Sequence, residues 1–197
     1  MTALLPVTLT GPTITLAPLS TEHHDGLVDA VRDGELWNLW YTSVPTPETM
    51  AAEIDRRLAL QAQGAMLPFT LRRNDNGQVL GMTTYCNIDA DTPRVEIGYT
   101  WNRASIQGTG TNPESKWLLL AHAFDQIGCT AVEFRTHWMN HQSRDAIIRL
   151  GAKQDGVLRA HRRGPDGSLR DTVVFSIVAA EWPQVLAGLT HRLARNR

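Results

Sequence analysis

The chain has 197 residues, 42% of them hydrophobic, with 20 acidic against 19 basic side chains and a formal net charge of -1. That length and hydrophobic content suffice for one α/β core. The near-neutral balance excludes broad electrostatic affinity for nucleic acid. Two cysteines, no apolar run of about 18 residues and no signal-peptide pattern point to a soluble cytoplasmic protein with no membrane partner.

In chain order, Ile14 to Leu19 reads as a first strand, and Ser20-Thr21-Glu22-His23 opens a helix running towards Glu35. Trp37, Trp40 and Tyr41 follow closely. They suit an aromatic wall for a substrate, while Trp37 and Trp40, three apart, equally suit the core face of a helix. Thr46-Pro47-Glu48 begins another helix reaching Gln63, with Ile54 and Leu58 inward and Glu53, Arg56 and Arg57 solvated. Strands Leu67 to Arg73 and Gln78 to Asn87 join through Asn76-Gly77, a strong hairpin signal. Arg94 to Asn102 alternates as a strand, with Val95, Ile97, Tyr99 and Trp101 on one face and Glu96, Gly98 and Thr100 on the other.

The run from Ser105 to Lys116 is the most informative segment. A loop carrying Gly108 and Gly110 opens into a helix directly after that strand, the arrangement of a phosphate cradle. Asn112 reads as the N-cap and Pro113 as the first helical residue. Trp117, Leu120, Ala121 and Phe124 then share a face until Gly128 stops the helix. A Walker loop is excluded because no Gly-Lys-Ser/Thr ending is present, and a dinucleotide fingerprint lacks its third glycine. Thr130 to Trp138 is the next strand. Asn140-His141-Gln142-Ser143 opens a helix with Ser143, Ala146, Ile147 and Leu150 on one face and Gly151 at its end. Val157 to Arg162 and Asp171 to Val178 form a last hairpin across Gly164-Pro165-Asp166-Gly167. It carries Arg159, Arg162, Arg163 and Arg170, readable as a site for an acidic substrate or for a phosphate group of a bound ligand, or as a solvated turn. A helix from Glu181 to about Arg195 presents Trp182, Val185, Leu186, Leu189 and Leu193 on one stripe.

Gln107-x-x-Gly110-x-Asn112 resembles the Gln/Arg-x-x-Gly-x-Gly/Ala signature of the GNAT acetyltransferase superfamily, whose loop holds the pyrophosphate of coenzyme A. Asn140-x-x-Ser143-x-x-Ala146-x-x-x-x-Gly151-Ala152 resembles the second signature of the same superfamily. Together with Gly108-Thr109-Gly110 and Lys116, the match is similar to the RimJ/RimL-like branch and spans roughly residues 12 to 180. The resemblance implies one three-layer α/β (α+β) domain over residues 1–197. Its sheet would be mixed and mostly antiparallel, of about seven strands, flanked by helices and closed by a C-terminal amphipathic helix. It implies acetyl-CoA as co-substrate and no metal. The acceptor would be a primary amine, a peptide N-terminus or a small molecule, and homodimers are common in the branch. Cofactor contacts would come from Ile97, Gly98, Tyr99, Gln107, Gly108, Thr109, Gly110, Thr111, Asn112, Asn140 and Ser143, and acceptor contacts from Trp37, Trp40, Tyr85 and Asn87.

One departure bears on mechanism. Many members place a tyrosine acid in the second helix, and here that position is Ile147. A catalytically weak acyl-CoA sensor is therefore the alternative to a transferase. For an enzyme, a lysine acceptor must lose a proton at a cost of roughly 4 to 5 kcal/mol at pH 7, whereas an N-terminal amine near pKa 8 is already about one tenth free base. Glu96, a carboxylate inside a strand, is the candidate base, or else a structural partner of Arg135 or Arg94. Ser143 on an inward face could support the departing thiolate, or could serve only at the helix start. Neither Cys86 nor Cys129 has a visible histidine partner for a covalent route.

Overall fold

The computed structural model describes residues 4–164 and 167–195. Among them, eight strands form one sheet: β1 (Leu9–Thr10), β2 (Ile14–Pro18), β3 (Met66–Arg73), β4 (Val79–Asp89), β5 (Arg94–Asn102), β6 (Ala131–His137), β7 (Lys153–Arg163) and β8 (Leu169–Val178). Their order is β1-β2-β3-β4-β5-β6-β8-β7, and every neighbouring pair is antiparallel except β5 with β6. One strand more than expected is present because β1 is only two residues long, too short to leave a period in the sequence. The hairpin of β7 and β8 is as expected, although Pro165 and Asp166 of its turn lie outside the described residues.

Helices cover both faces. The first core contains Ile14, Leu16, Phe69, Val95, Ile97, Phe134, Val173 and Phe175, packed with Leu119 and Leu120 of α3 (Thr111–Ala121) and Trp182 and Val185 of α5 (Trp182–Arg195). A second core joins Leu27 and Val31 of α1 (His24–Arg32), Met50 and Ile54 of α2 (Met50–Ala62), and Met82 and Trp101 of the sheet. The helix expected to reach Glu35 ends at Arg32, where Gly34 (φ 96°) and Glu35 (φ 46°) turn the chain. α3 is buried on more than the expected stripe, with Leu118, Leu119 and Leu120 all inward, because it lies between the sheet and α5. It continues into a π-helical turn, His122–Ile127, and Gly128 (φ 75°) ends it. α4 (His141–Ile148) begins where expected, with the Asn140 side chain accepting from the Ser143 N–H at 3.0 Å.

Two corrections shape the site. Val95 and Ile97 enter the first core, but Trp101, of the same parity, enters the second. The strict alternation predicted for this strand is broken by a β-bulge. Met82 pairs with Trp101 and Thr84 with Gly98, so two steps on β4 oppose three on β5, and Tyr99 takes a left-handed φ of 49°. Arg57, predicted to be solvated, is 1% exposed and holds this bulge. Its guanidinium donates to the Tyr99 carbonyl at 3.2 Å, to Thr84 Oγ1 at 2.7 Å and to Glu53 Oε1 at 2.7 Å. A buried charge with three acceptors is tolerable where a bare one would not be.

Candidate active site

β5 and β6 pair only over Arg94–Glu96 against Ala131–Glu133, although β5 runs on to Asn102 and β6 to His137. Past Glu96 the sheet splits. A cavity of about 470 Å³ opens at the split, bounded by Glu96 to Asn102, by Arg135 to His137, by the loop Gln107–Thr109 and by Ser143, Ala146 and Ile147 of α4.

The loop before α3 is built for close approach. Asp33 at the end of α1 accepts from Arg103 Nε at 2.8 Å and from the Ser105 hydroxyl at 2.5 Å, and Ile106 is buried as an anchor. Gly108 then adopts φ 78°, and a Cβ added there would meet nothing within 4 Å, so its outer side faces open space. The expected cap is corrected: Gly110, not Asn112, is the N-cap of α3, and no side chain caps it. Consequently the N–H groups of Gly108, Gly110 and Asn112 have no hydrogen-bond partner among the described residues. Unpartnered amides at a helix start form an anion site. Gln107, Gly108, Thr109 and Asn112 line the cavity, whereas Gly110 and Thr111 face a separate recess beside Thr13. Glu114, buried in the first turn, is held by the Thr13 N–H at 2.8 Å and the Ile14 N–H at 3.1 Å, which ties α3 to β2.

Glu96 lies across the split, 7% exposed. Asn87 Nδ2 donates to its Oε2 at 2.5 Å and Arg135 Nε stands 3.5 Å from the same oxygen. Burial raises its pKa above the ordinary carboxylate value despite Asn87, Arg135 and Arg162. Gly98 makes room for it: a Cβ there would stand 2.8 Å from Glu96 Oε1. Arg135 is also committed to Glu133, at 2.8 Å, and Arg94 pairs with Glu133 as well. Ser143 is half-buried on the cavity wall. Its hydroxyl makes no hydrogen bond among the described residues, since Asn140 alone serves the helix start.

Several expected acceptor residues lie elsewhere. Tyr85 is fully buried on the first-core face of β4, its hydroxyl donating to the Leu119 carbonyl at 2.5 Å, and it does not reach the cavity. Asn87 does reach it, because its own left-handed φ of 46° turns it towards Glu96. Trp37 packs against the second core. Trp40 is exposed and meets His137 edge to face at 5.2 Å, and neither tryptophan lines the cavity. The wall is formed instead by Leu36, Leu39 and the segment Tyr41–Val44. Lys116, which the sequence offered only as part of the branch motif, is buried with its ammonium 3.1 Å from Thr100 Oγ1 and no acidic partner among the described residues; burial pushes its pKa down to about 7. Both cysteines are buried, and burial raises both thiols, Cys129 to about 11. Among the described residues no group of three His, Cys, Asp or Glu is arranged to hold a metal, and no helix is long and apolar enough to cross a membrane.

Residues 13–153 match the model of the Acetyltransferase (GNAT) domain. The chain belongs to the GNAT acetyltransferase family. Members of this family are acyltransferases that use acetyl-CoA. The GNAT chain is 24% identical to p20, an uncharacterised N-acetyltransferase of Bacillus licheniformis, over 86% of this chain and 94% of that protein. A GCN5-related N-acetyltransferase from Brucella melitensis shares the fold at TM-score 0.86 and 24% identity, covering 97% of this chain and 87% of that one. RimJ of Mycobacterium smegmatis, solved in complex with CoA-disulfide, shares it at TM-score 0.79 and 22% identity over 95% of each chain.

Proposed function

We propose that this protein transfers acetyl from acetyl-CoA to a primary amine by direct attack within a ternary complex. The observation that carries the reading is a single cavity with unpartnered loop amides on one side and a buried carboxylate on the other. The loop fits a pyrophosphate: the N–H groups of Gly108, Gly110 and Asn112 are free among the described residues, Gly108 leaves its outer side open, and the dipole of α3 favours negative charge there. Gln107, Gly108, Thr109 and Asn112, which line the cavity, would hold it, with Asn140 shaping the start of α4. The thioester supplied by acetyl-CoA would lie in the split beside Ile97, Gly98 and Tyr99.

Glu96 then acts as the base. Its raised pKa makes it a better proton acceptor than an ordinary carboxylate, and Asn87 and Arg135 fix its Oε2. Backbone N–H groups of β5 beyond Glu96, where β6 no longer pairs, are the donors for the carbonyl oxygen as it gains charge. Ser143, with a hydroxyl not otherwise engaged, donates to the departing sulfur. A thiol needs only a weak donor, since its reference pKa is about 8.5.

The alternative, an acyl-CoA sensor, draws on Ile147 in place of the tyrosine acid. Release of free thiol from acetyl-CoA, measured over a panel of amines, separates the two. Amine-dependent release supports the enzyme; stabilisation by CoA with no release above background supports the sensor.

A further inference from the structure

The acceptor side of the cavity carries more positive charge than its carboxylates neutralise. Val132 and Phe134 of β6, and Val173, Phe175 and Ile177 of β8, enter the first core with α3 and α5. By alternation, Arg135, His137, Arg170 and Thr172 point out of the opposite face, the face of Glu96. Arg162 joins them. A bulge between Leu158 and Arg162, with Ala160 at φ 49°, brings Arg162 into register directly opposite Arg170, and both line the cavity with Glu96.

Like charges facing each other across two strands are destabilising. Among the described residues neither Arg162 nor Arg170 stands within ion-pair distance of a carboxylate, although Arg162 is near enough to Glu96 to act on its charge, and the Nε of Arg170 is buried without a hydrogen bond. The nearest hairpin carboxylate, Asp171, points to the other face, where it accepts from Arg159 at 2.6 Å and from the Ala160 N–H at 2.8 Å. Glu96 and Glu133 face Arg135, and Glu133 also takes Arg94. His137 Nδ1 accepts from the Met139 N–H, and His161 Nδ1 bonds the Thr172 hydroxyl. Among the described residues on this face, the guanidinium groups of Arg162 and Arg170 are therefore left for a visitor, and planar forks of this kind match carboxylate and phosphate oxygens.

Resting on the acetyltransferase reading, we infer that the acceptor is an amine that also carries a carboxylate or phosphate, received by Arg162 and Arg170 while the amine lies at Glu96. On that reading the phosphates of the cofactor would lie at the loop of α3, which packs on the first core, whereas Arg162 and Arg170 belong to the opposite face of the sheet.

The test uses matched acceptors: a short peptide with Asp against Asn at its second position, and an aminoalkyl phosphate against the corresponding amino alcohol. The wild-type protein should favour the anionic member of at least one pair by about tenfold to a hundredfold in kcat/KM, the range of a hydrogen bond to a charged group. The pair with the larger ratio identifies carboxylate or phosphate. In Arg162→Gln and Arg170→Gln the ratio should fall to within about twofold of unity, mainly through KM, while CoA affinity is kept. Inorganic phosphate should compete with the acceptor and not with acetyl-CoA in the wild-type protein, a readout that needs no variant. A wild-type ratio near one, a ratio the substitutions leave unchanged, or loss of CoA affinity in both variants would overturn the inference alone. Absence of thiol release with every amine would overturn the transferase reading and this inference with it.

Discussion

Lys116 offers a perturbation whose sign and size follow from its surroundings. Its ammonium is buried between α3 and the sheet, reaches only the hydroxyls of Thr100 at 3.1 Å and Thr83 at 3.5 Å, and titrates near 7 instead of 10.5. Because the folded pKa lies below the unfolded one, folding opposes the charged form. The penalty is fully present below pH 7 and is lost as pH rises towards 10.5. A shift of this size corresponds to about 5 kcal/mol at low pH, about 4 kcal/mol at pH 7 and about 2 kcal/mol at pH 9. Lys116→Met keeps the length of the side chain and removes the charge. Thr83 and Thr100 still bond each other at 2.8 Å, so no hydroxyl is orphaned. After allowing about 1 kcal/mol for the lost hydrogen bonds, the variant should be more stable by about 3 kcal/mol at pH 7 and by about 1 kcal/mol at pH 9. Urea unfolding followed by circular dichroism at both pH values measures this, provided m is unchanged. A variant less stable than the wild type at pH 7, or a gain that does not shrink by pH 9, would refute the reasoning.

Four further outcomes are expected. Glu96→Gln should lower kcat/KM by at least about a hundredfold for amines of high pKa and much less for those of low pKa. It should also remove an acid limb lying above the ordinary carboxylate range, because the raised pKa means the base is active only above it; an equal loss for all amines would mark a structural carboxylate. Gly98→Ala should reproduce the loss of turnover with CoA affinity retained, since its Cβ would stand 2.8 Å from Glu96 Oε1, and wild-type turnover would contradict that. Ser143→Ala should slow turnover by about tenfold or less with unchanged CoA affinity, and a wild-type rate removes the serine from the mechanism. Arg57→Met should destabilise by about 3 kcal/mol in urea unfolding, because the Tyr99 carbonyl and Thr84 hydroxyl lose their donor while Glu53 keeps Arg56; a neutral substitution would show that the bulge holds without it.

Features carried by a local signal were legible in the sequence. Asn140 and Gly151 bracket α4, Asn76-Gly77 turns β3 into β4, and the loop around Gly108 precedes α3. What escaped was set by distant contacts. Nothing near Tyr99 announces a left-handed residue, since the bulge is held by Arg57 from α2, 42 residues earlier. That same shift decides which side chains of β5 face the cavity. Arg57 itself looked solvated because helix periodicity reads only local spacing, and its burial comes from Thr84 and the bulge. Tyr85 turns onto the first core, and only Asn87 beyond it, with its left-handed φ, enters the site. Arg162 and Arg170 were visible as part of a basic cluster, but their register opposite each other was not, because it depends on the bulge at Ala160.

The central claim is that cofactor and acceptor meet across the split between β5 and β6 and react directly. Initial rates of thiol release over a grid of acetyl-CoA and amine concentrations test it most directly. The account predicts double-reciprocal lines that intersect and no release of CoA before the amine is added. Parallel lines with a burst of CoA in the absence of amine would contradict it.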